Sequence, residues 1–219
     1  MSEELKNHPY AKTIWDELLS EIGNKYGVAA LMGNLQAESG LYPDRVQGDI
    51  PYSSYSKEYT ADVDSGAISK DDFVYNGPNG GGYGLAQWTY HTRKKKLYEM
   101  WANSKDYYGS IGSVNLALDY LILELQTSFA DIWDILKTTP NIRVASDTVL
   151  HDFENPADQS ESVEEMRASM GQEIYNTFAS GSSGGGDSGG GDDGGETGGT
   201  VRNSQLSKLL LYAIATDII

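Results

Sequence analysis

The chain has 219 residues, 39% of them hydrophobic, which is enough for one core and at most one appended segment. Its formal net charge of −16 argues against nucleic acid, whose phosphates this surface repels, and against electrostatic docking on an anionic membrane. Cysteine is absent, so no disulfide framework and no cysteine-ligated metal site can form.

The first residues, Met1-Ser2-Glu3-Glu4-Leu5-Lys6, carry no basic region followed by an apolar run, so no signal peptide is expected. No stretch reaches the roughly 18 apolar residues of a membrane span. Fifteen tyrosines and four tryptophans suit either a core or a carbohydrate surface, where a ring stacks on a sugar and its polar tip meets hydroxyls.

In chain order, Pro9 stands where a first helix opens, and Ala11, Ile14, Trp15, Leu18, Leu19 and Ile22 give it an amphipathic stripe ended by Gly23-Asn24. A second helix follows and ends at Gly40; Val28, Leu31, Met32 and Leu35 form its apolar stripe. Glu38 continues that stripe into the last turn. Partial burial and the negative end of the helix dipole both disfavour a carboxylate there, which suits a general acid. The ordinary alternative is a solvated acid at a helix end.

Residues 41–82 are irregular and rich in Tyr, Ser, Asp and Gly, with short helices predicted after Ser56 and after Ser69. Asn76 to Gly82 reads as a turn-rich loop. A helix over His91–Met100 carries the basic cluster Arg93, Lys94, Lys95 and Lys96, either a solvated face or a contact for acidic peptides. Further helical stripes are Ile111 to Leu125, Ile132 to Leu136 before Pro140, and Ile142, Ala145, Val149 and Phe153 before the break at Glu154-Asn155-Pro156. Ser162 with Glu165 has the capping-box pattern, opening a helix striped by Val163, Met166, Met170, Ile174 and Phe178. His8, His91 and His151 show no metal spacing, and neither metal nor cofactor is expected.

Three segments result. Residues 1–180 form a mainly α domain with at most a small β element near Tyr83. Residues 181–200, with eleven of the 25 glycines, read as a flexible linker. Residues 201–219 read as an apolar helix, either a docking segment or the start of a further domain.

Two strings carry a resemblance. Ala37-Glu38-Ser39-Gly40-Leu41-Tyr42-Pro43 resembles a signature of goose-type lysozymes and lytic transglycosylases, and Gly84-Leu85-Ala86-Gln87 resembles their second motif, with Ala86 in the place of Met. The longer strings Gly33 to Leu41 and Gly84 to Thr89 are closer to the phage tail lysozyme family, as is Phe153-Glu154-Asn155-Pro156-Ala157 followed by a helix carrying Arg167. The resemblance covers roughly residues 8–180. It implies a lysozyme-like domain that cleaves the β-1,4 glycan of peptidoglycan with Glu38 as general acid. Ser39 would hold the Glu38 carboxyl or the helix end, and Tyr83, Gly84, Gln87 and Trp88 would bind substrate. It also implies a protein of the phage tail or one released to the cell wall, with other tail proteins as possible partners of the C-terminal helix.

No motif fixes a second carboxylate. Inversion needs one about 6.5–9.5 Å from the acid, and a retaining nucleophile one at about 5–5.5 Å. Asp44 and Asp49 are the nearest candidates, and Glu154 is a third whose ordinary alternative is core or loop hydrogen bonding. Without one, substrate assistance or ring closure by the muramic 6-hydroxyl remains, so hydrolase and transglycosylase are both open. The contrasting reading is a non-catalytic wall-binding or tail structural module, or an adaptor acting through its C-terminal helix.

Overall fold

The computed structural model describes residues 3–77 and 81–179. The expected linker and C-terminal helix lie outside the described residues. Helices α1 (Glu3–Asn7) and α2 (Ala11–Ile22) lead into α3 (Lys25–Ser39), and α4 (Ser54–Ser65) and α5 (Lys70–Tyr75) occupy the irregular stretch. Then come α6 (His91–Ala102), α7 (Lys105–Tyr108), α8 (Val114–Thr127), α9 (Ala130–Thr138) and α10 (Ile142–Thr148). A π-helical turn, Val149–Glu154, continues α10, and α11 (Glu161–Phe178) follows. The fold is mainly α, as expected. Among the described residues the extended pairings are two isolated bridges, Val46 with Tyr83 and Tyr83 with Trp88.

Helix α3 is the element on which the others assemble. Asn24 caps it by accepting the Tyr26 N–H, while its Nδ2 donates to the carbonyls of Leu136 and Thr139 at the end of α9. Gly40 ends it in the left-handed region, at φ 63°. Every residue from Gly27 to Leu35 is buried, because α2, α9, α10 and α11 all pack on it. The expected single apolar stripe is therefore too narrow: the helix is apolar or small on all sides.

Glycines set its closest approaches. A Cβ at Gly33 would stand 2.6 Å from the Arg167 carbonyl oxygen and from the Gly171 nitrogen, and one at Gly171 would stand 2.9 Å from the Ala29 carbonyl oxygen. The backbones of α3 and α11 thus touch where Gly33 meets Gly171. One turn before Gly171 lies Arg167, and one turn beyond Asn34 lies Glu38. This crossing brings Arg167 beside both.

Several helix starts differ from expectation. Ser56 lies inside α4, whose cap is Ser53, accepting the Tyr55 N–H. Ser69 caps α5 as expected, accepting the Asp72 N–H. Ser162 lies inside the first turn of α11, whose N-cap Ser160 makes no side-chain cap bond. The start of α2 is held by His8, whose Nδ1 accepts the N–H groups of Tyr10 and Ala11 at 3.2 Å each. Helices α1 and α7 have no counterpart in the sequence reading, being too short to show a period.

The basic cluster forms no common face. Arg93 turns inward to Glu124, and Lys94 is 1% exposed, its Nζ 4.8 Å from the centre of the Phe73 ring. Burial pushes the Lys94 ammonium down to about 8. Neither a solvated face nor a patch for acidic peptides describes these two residues.

Candidate active site

A cleft of about 460 Å³ opens beside the C-terminal end of α3. One wall is Glu38, another is built from the turns around Arg45 and Gln87, and a third is Glu154, Asn155 and Pro156 after the π-helical turn. Ile50 and Tyr90 stand at its rim, 79% and 69% exposed. They are the two most exposed large hydrophobic side chains among the described residues, and an aromatic ring in water beside a cleft offers a face for stacking.

The second wall is held by backbone pairing. Gln47 N–H donates to the Gly82 carbonyl and Gly84 N–H to the Arg45 carbonyl, both at 2.8 Å. Gln87 adopts φ 45°, and its Nε2 donates to the carbonyls of Arg45 and Gly84 at 3.0 Å each. Asn155 is also left-handed, at φ 46°. Two of the three described non-glycine residues with positive φ therefore line the cleft, in a conformation costing about 1 kcal/mol or more each.

The carboxyl of Glu38 accepts from Arg167 Nη2 at 2.6 Å, and Arg167 Nη1 donates to Asn34 Oδ1 at 3.2 Å. Asn34 is fully buried; its Nδ2 donates to the Ala30 carbonyl and to Ser146. The guanidinium is thus positioned by a satisfied amide and by the glycine crossing beneath it. The sequence reading of Glu38 contained burial and the helix end, but not this cation.

Glu154 closes the π-helical turn. The residue is half-buried, but its Oε1 is wholly enclosed and has no hydrogen-bond partner among the described residues. Arg167 Nε is likewise buried and unpartnered. Burial first, and then the charge of Glu38, push the Glu154 carboxyl well above the usual carboxylate range, against the pull of Arg93 and Arg167. Arg93 is committed elsewhere: its Nε and Nη2 donate to the two oxygens of Glu124 at 2.8 and 2.9 Å, and it lies over the Phe153 ring. Glu124 also accepts from Trp88 Nε1 and the Tyr120 hydroxyl.

The expected site residues separate into two groups. Glu38 and Gln87 line the cleft. Tyr83, 1% exposed, packs on Phe73 and Tyr59 and hydrogen-bonds Thr60 at 2.8 Å. Trp88 is fully buried against Tyr120, and Gly84 is buried at φ 82°, where a Cβ would meet the Trp88 ring. These three build the wall from behind rather than face the cleft. Ser39 is buried and donates to the Leu35 carbonyl, so it holds the helix end, not the carboxyl.

Neither Asp44 nor Asp49 lines the cleft. Asp44 accepts the Tyr52 hydroxyl on both oxygens, and burial raises its carboxyl against that bond. Burial also acts to raise Asp49, but hydrogen bonds from the hydroxyl and N–H groups of Ser53 and Ser56 outweigh it and bring it down to about 2. Asp49 is a strap across the start of α4. Arg93, Ile50 and Tyr90 escaped the sequence reading as cleft residues; for the third wall the sequence offered the Glu154-Asn155-Pro156 break, the resemblance of that string and Glu154 as a third candidate carboxylate. Among the described residues no cluster of His, Asp and Glu could hold a metal ion.

The fold and the site together define a helical domain with an acid- and arginine-lined cleft at the end of its central helix. Residues 9–178 match the family described as phage tail lysozyme, and the chain belongs to that family. No curated protein and no solved structure matches the chain. The family associates the protein with the phage tail, and no helix among the described residues is long and apolar enough to cross a membrane.

Proposed function

We propose that the domain is a peptidoglycan glycosidase, cleaving the β-1,4 glycan of the bacterial wall with Glu38 as general acid, as a tail-associated lysin or an endolysin. One observation carries this reading: the Glu38 carboxyl, steadied by Arg167 at 2.6 Å, stands in a cleft rimmed by exposed Ile50 and Tyr90. A sugar ring seated against Tyr90 brings its glycosidic oxygen toward a carboxyl able to protonate it as the C–O bond breaks. The amide of Gln87 spends its N–H groups on backbone carbonyls, leaving Oε1 to accept from an N-acetyl group.

The test is mass spectrometry of fragments released from purified peptidoglycan of several wall types by the full chain and by Glu38→Gln. Release by the native protein alone supports the reading. Reducing ends then identify hydrolysis, and anhydro-muramic ends identify transglycosylation. Equal release by both proteins removes Glu38 from the chemistry.

A further inference from the structure

We propose that Glu154 is the second catalytic carboxyl of this cleft, and that it and Glu38 hold one proton between them. The inference rests on the glycosidase reading above. It starts from an imbalance in the partners. Two acids line the cleft, yet Arg167, whose charge acts on both, hydrogen-bonds only Glu38. Arg167 gives its terminal nitrogens to Glu38 and Asn34, while Arg93 is occupied by Glu124. Glu154 is left with one enclosed, unpartnered oxygen. A bare carboxylate in such a place is costly, whereas a protonated carboxyl is not.

The charges facing Glu154 come from four helices: Glu38 on α3, Arg167 on α11, Arg93 on α6 and Glu124 on α8. The charged groups of α10 and α9, which also pack on the π-helical turn, are paired or exposed. Arg143 and Asp147 of α10 pair with each other, and Arg143 also with Glu164; Asp131, Asp134 and Lys137 of α9 are exposed. The backbone is spent on presenting this residue, since Glu154 ends a π-helical turn and Asn155 beyond it is left-handed at φ 46°. Such turns are rare and concentrate at functional sites.

The proton balance of the reaction closes on such a pair. The pair begins with one proton. As the glycosidic C–O bond breaks, its electron pair goes to the leaving oxygen, which takes that proton through Glu38. The pair is then doubly ionised, with Arg167 against it. Water adds to the sugar C1, and the proton it releases returns to the pair. If ring closure by the muramic 6-hydroxyl replaces water, that hydroxyl returns the proton instead. Glu154 keeps the proton available at a pH where a lone carboxyl beside an arginine would have lost it.

Fragment release by the full chain is to be followed from acid to mildly alkaline pH for the native protein, Glu154→Gln, Glu154→Asp and Glu38→Gln. For Glu154→Gln the alkaline limb of the profile is expected to move to lower pH by about one unit, a tenfold loss at the upper end with activity retained in acid. Glu154→Asp restores part of the shift, and Glu38→Gln is inactive throughout. A protonated-carboxyl infrared band, present at neutral pH in the native protein and absent in Glu154→Gln, reads the shared proton without reference to activity. An unchanged pH profile for Glu154→Gln, an equal loss at every pH, or a native protein without that band overturns the proposal. An active Glu38→Gln removes Glu38 from the chemistry, whereas no fragment release by the native protein at any pH overturns the glycosidase reading itself; this proposal falls with either.

Discussion

Gly33→Ala puts the link between packing and chemistry to a quantitative test. The added Cβ would stand 2.6 Å from the Arg167 carbonyl oxygen and the Gly171 nitrogen, and 2.9 Å from Gly171 Cα. Ordinary contact begins near 3.4 Å, so α11 must move off α3 by roughly 1 Å at a point where every listener on both sides is backbone and cannot rotate away. Overpacking of this kind costs about 1–3 kcal/mol, a fall in unfolding midpoint of roughly 2–10 °C for a domain of this size. The same shift carries the Arg167 guanidinium away from Glu38 and Asn34. A displacement near 1 Å at a catalytic group costs on the order of a hundredfold in rate. Thermal unfolding and fragment release are measured on the same preparation, well below the midpoint. Activity should fall more than the small unfolded fraction explains. A folded Gly33→Ala protein with native midpoint and native activity would refute the idea that this crossing positions Arg167. Gly171→Ala should be milder, because its closest approach is 2.9 Å rather than 2.6 Å, and the double variant should be non-additive.

Tyr90→Ala removes an exposed ring at the cleft rim. It should raise KM for glycan with little change in kcat and leave the unfolding midpoint in place; a native KM would show that the ring does not touch substrate. Asp49 gives a pH signature for stability. Its folded carboxyl lies at about 2, below the ordinary unfolded value, so its contribution is present above about pH 4 and lost as pH falls toward 2. That difference amounts to about 2 kcal/mol. Asp49→Asn should lower the neutral midpoint and flatten the acid limb of stability while leaving the cleft intact. An acid limb as steep as the native one would remove Asp49 from that role.

The amino-acid sequence determined the helical class and the position of Glu38 in the last turn of α3. Those follow from local rules: spacing of apolar side chains along α2, α3 and α8, and the stops at Gly23, Gly40 and Pro140. It also marked Gln87 within a glycine-rich turn. Tyr83, Gly84 and Trp88 stand buried behind the cleft, and a string beside a site gives no sign of which residues face it and which support it from behind. Trp88 reads as a sugar-stacking ring until its Nε1 is found on buried Glu124, 36 positions away. Arg93 and Lys94 read as solvated for the same reason: local charge runs do not reveal that Glu124 and Phe73 wait inside. Only the tertiary structure decided how Arg167 and Glu154 stand to Glu38. Arg167 reaches Glu38 from 129 positions away because two glycines let α3 and α11 touch, and Glu154 lines the cleft from the last position of a π-helical turn. Contacts of that separation depend on which helix faces close on one another, and no periodicity within a single helix encodes them.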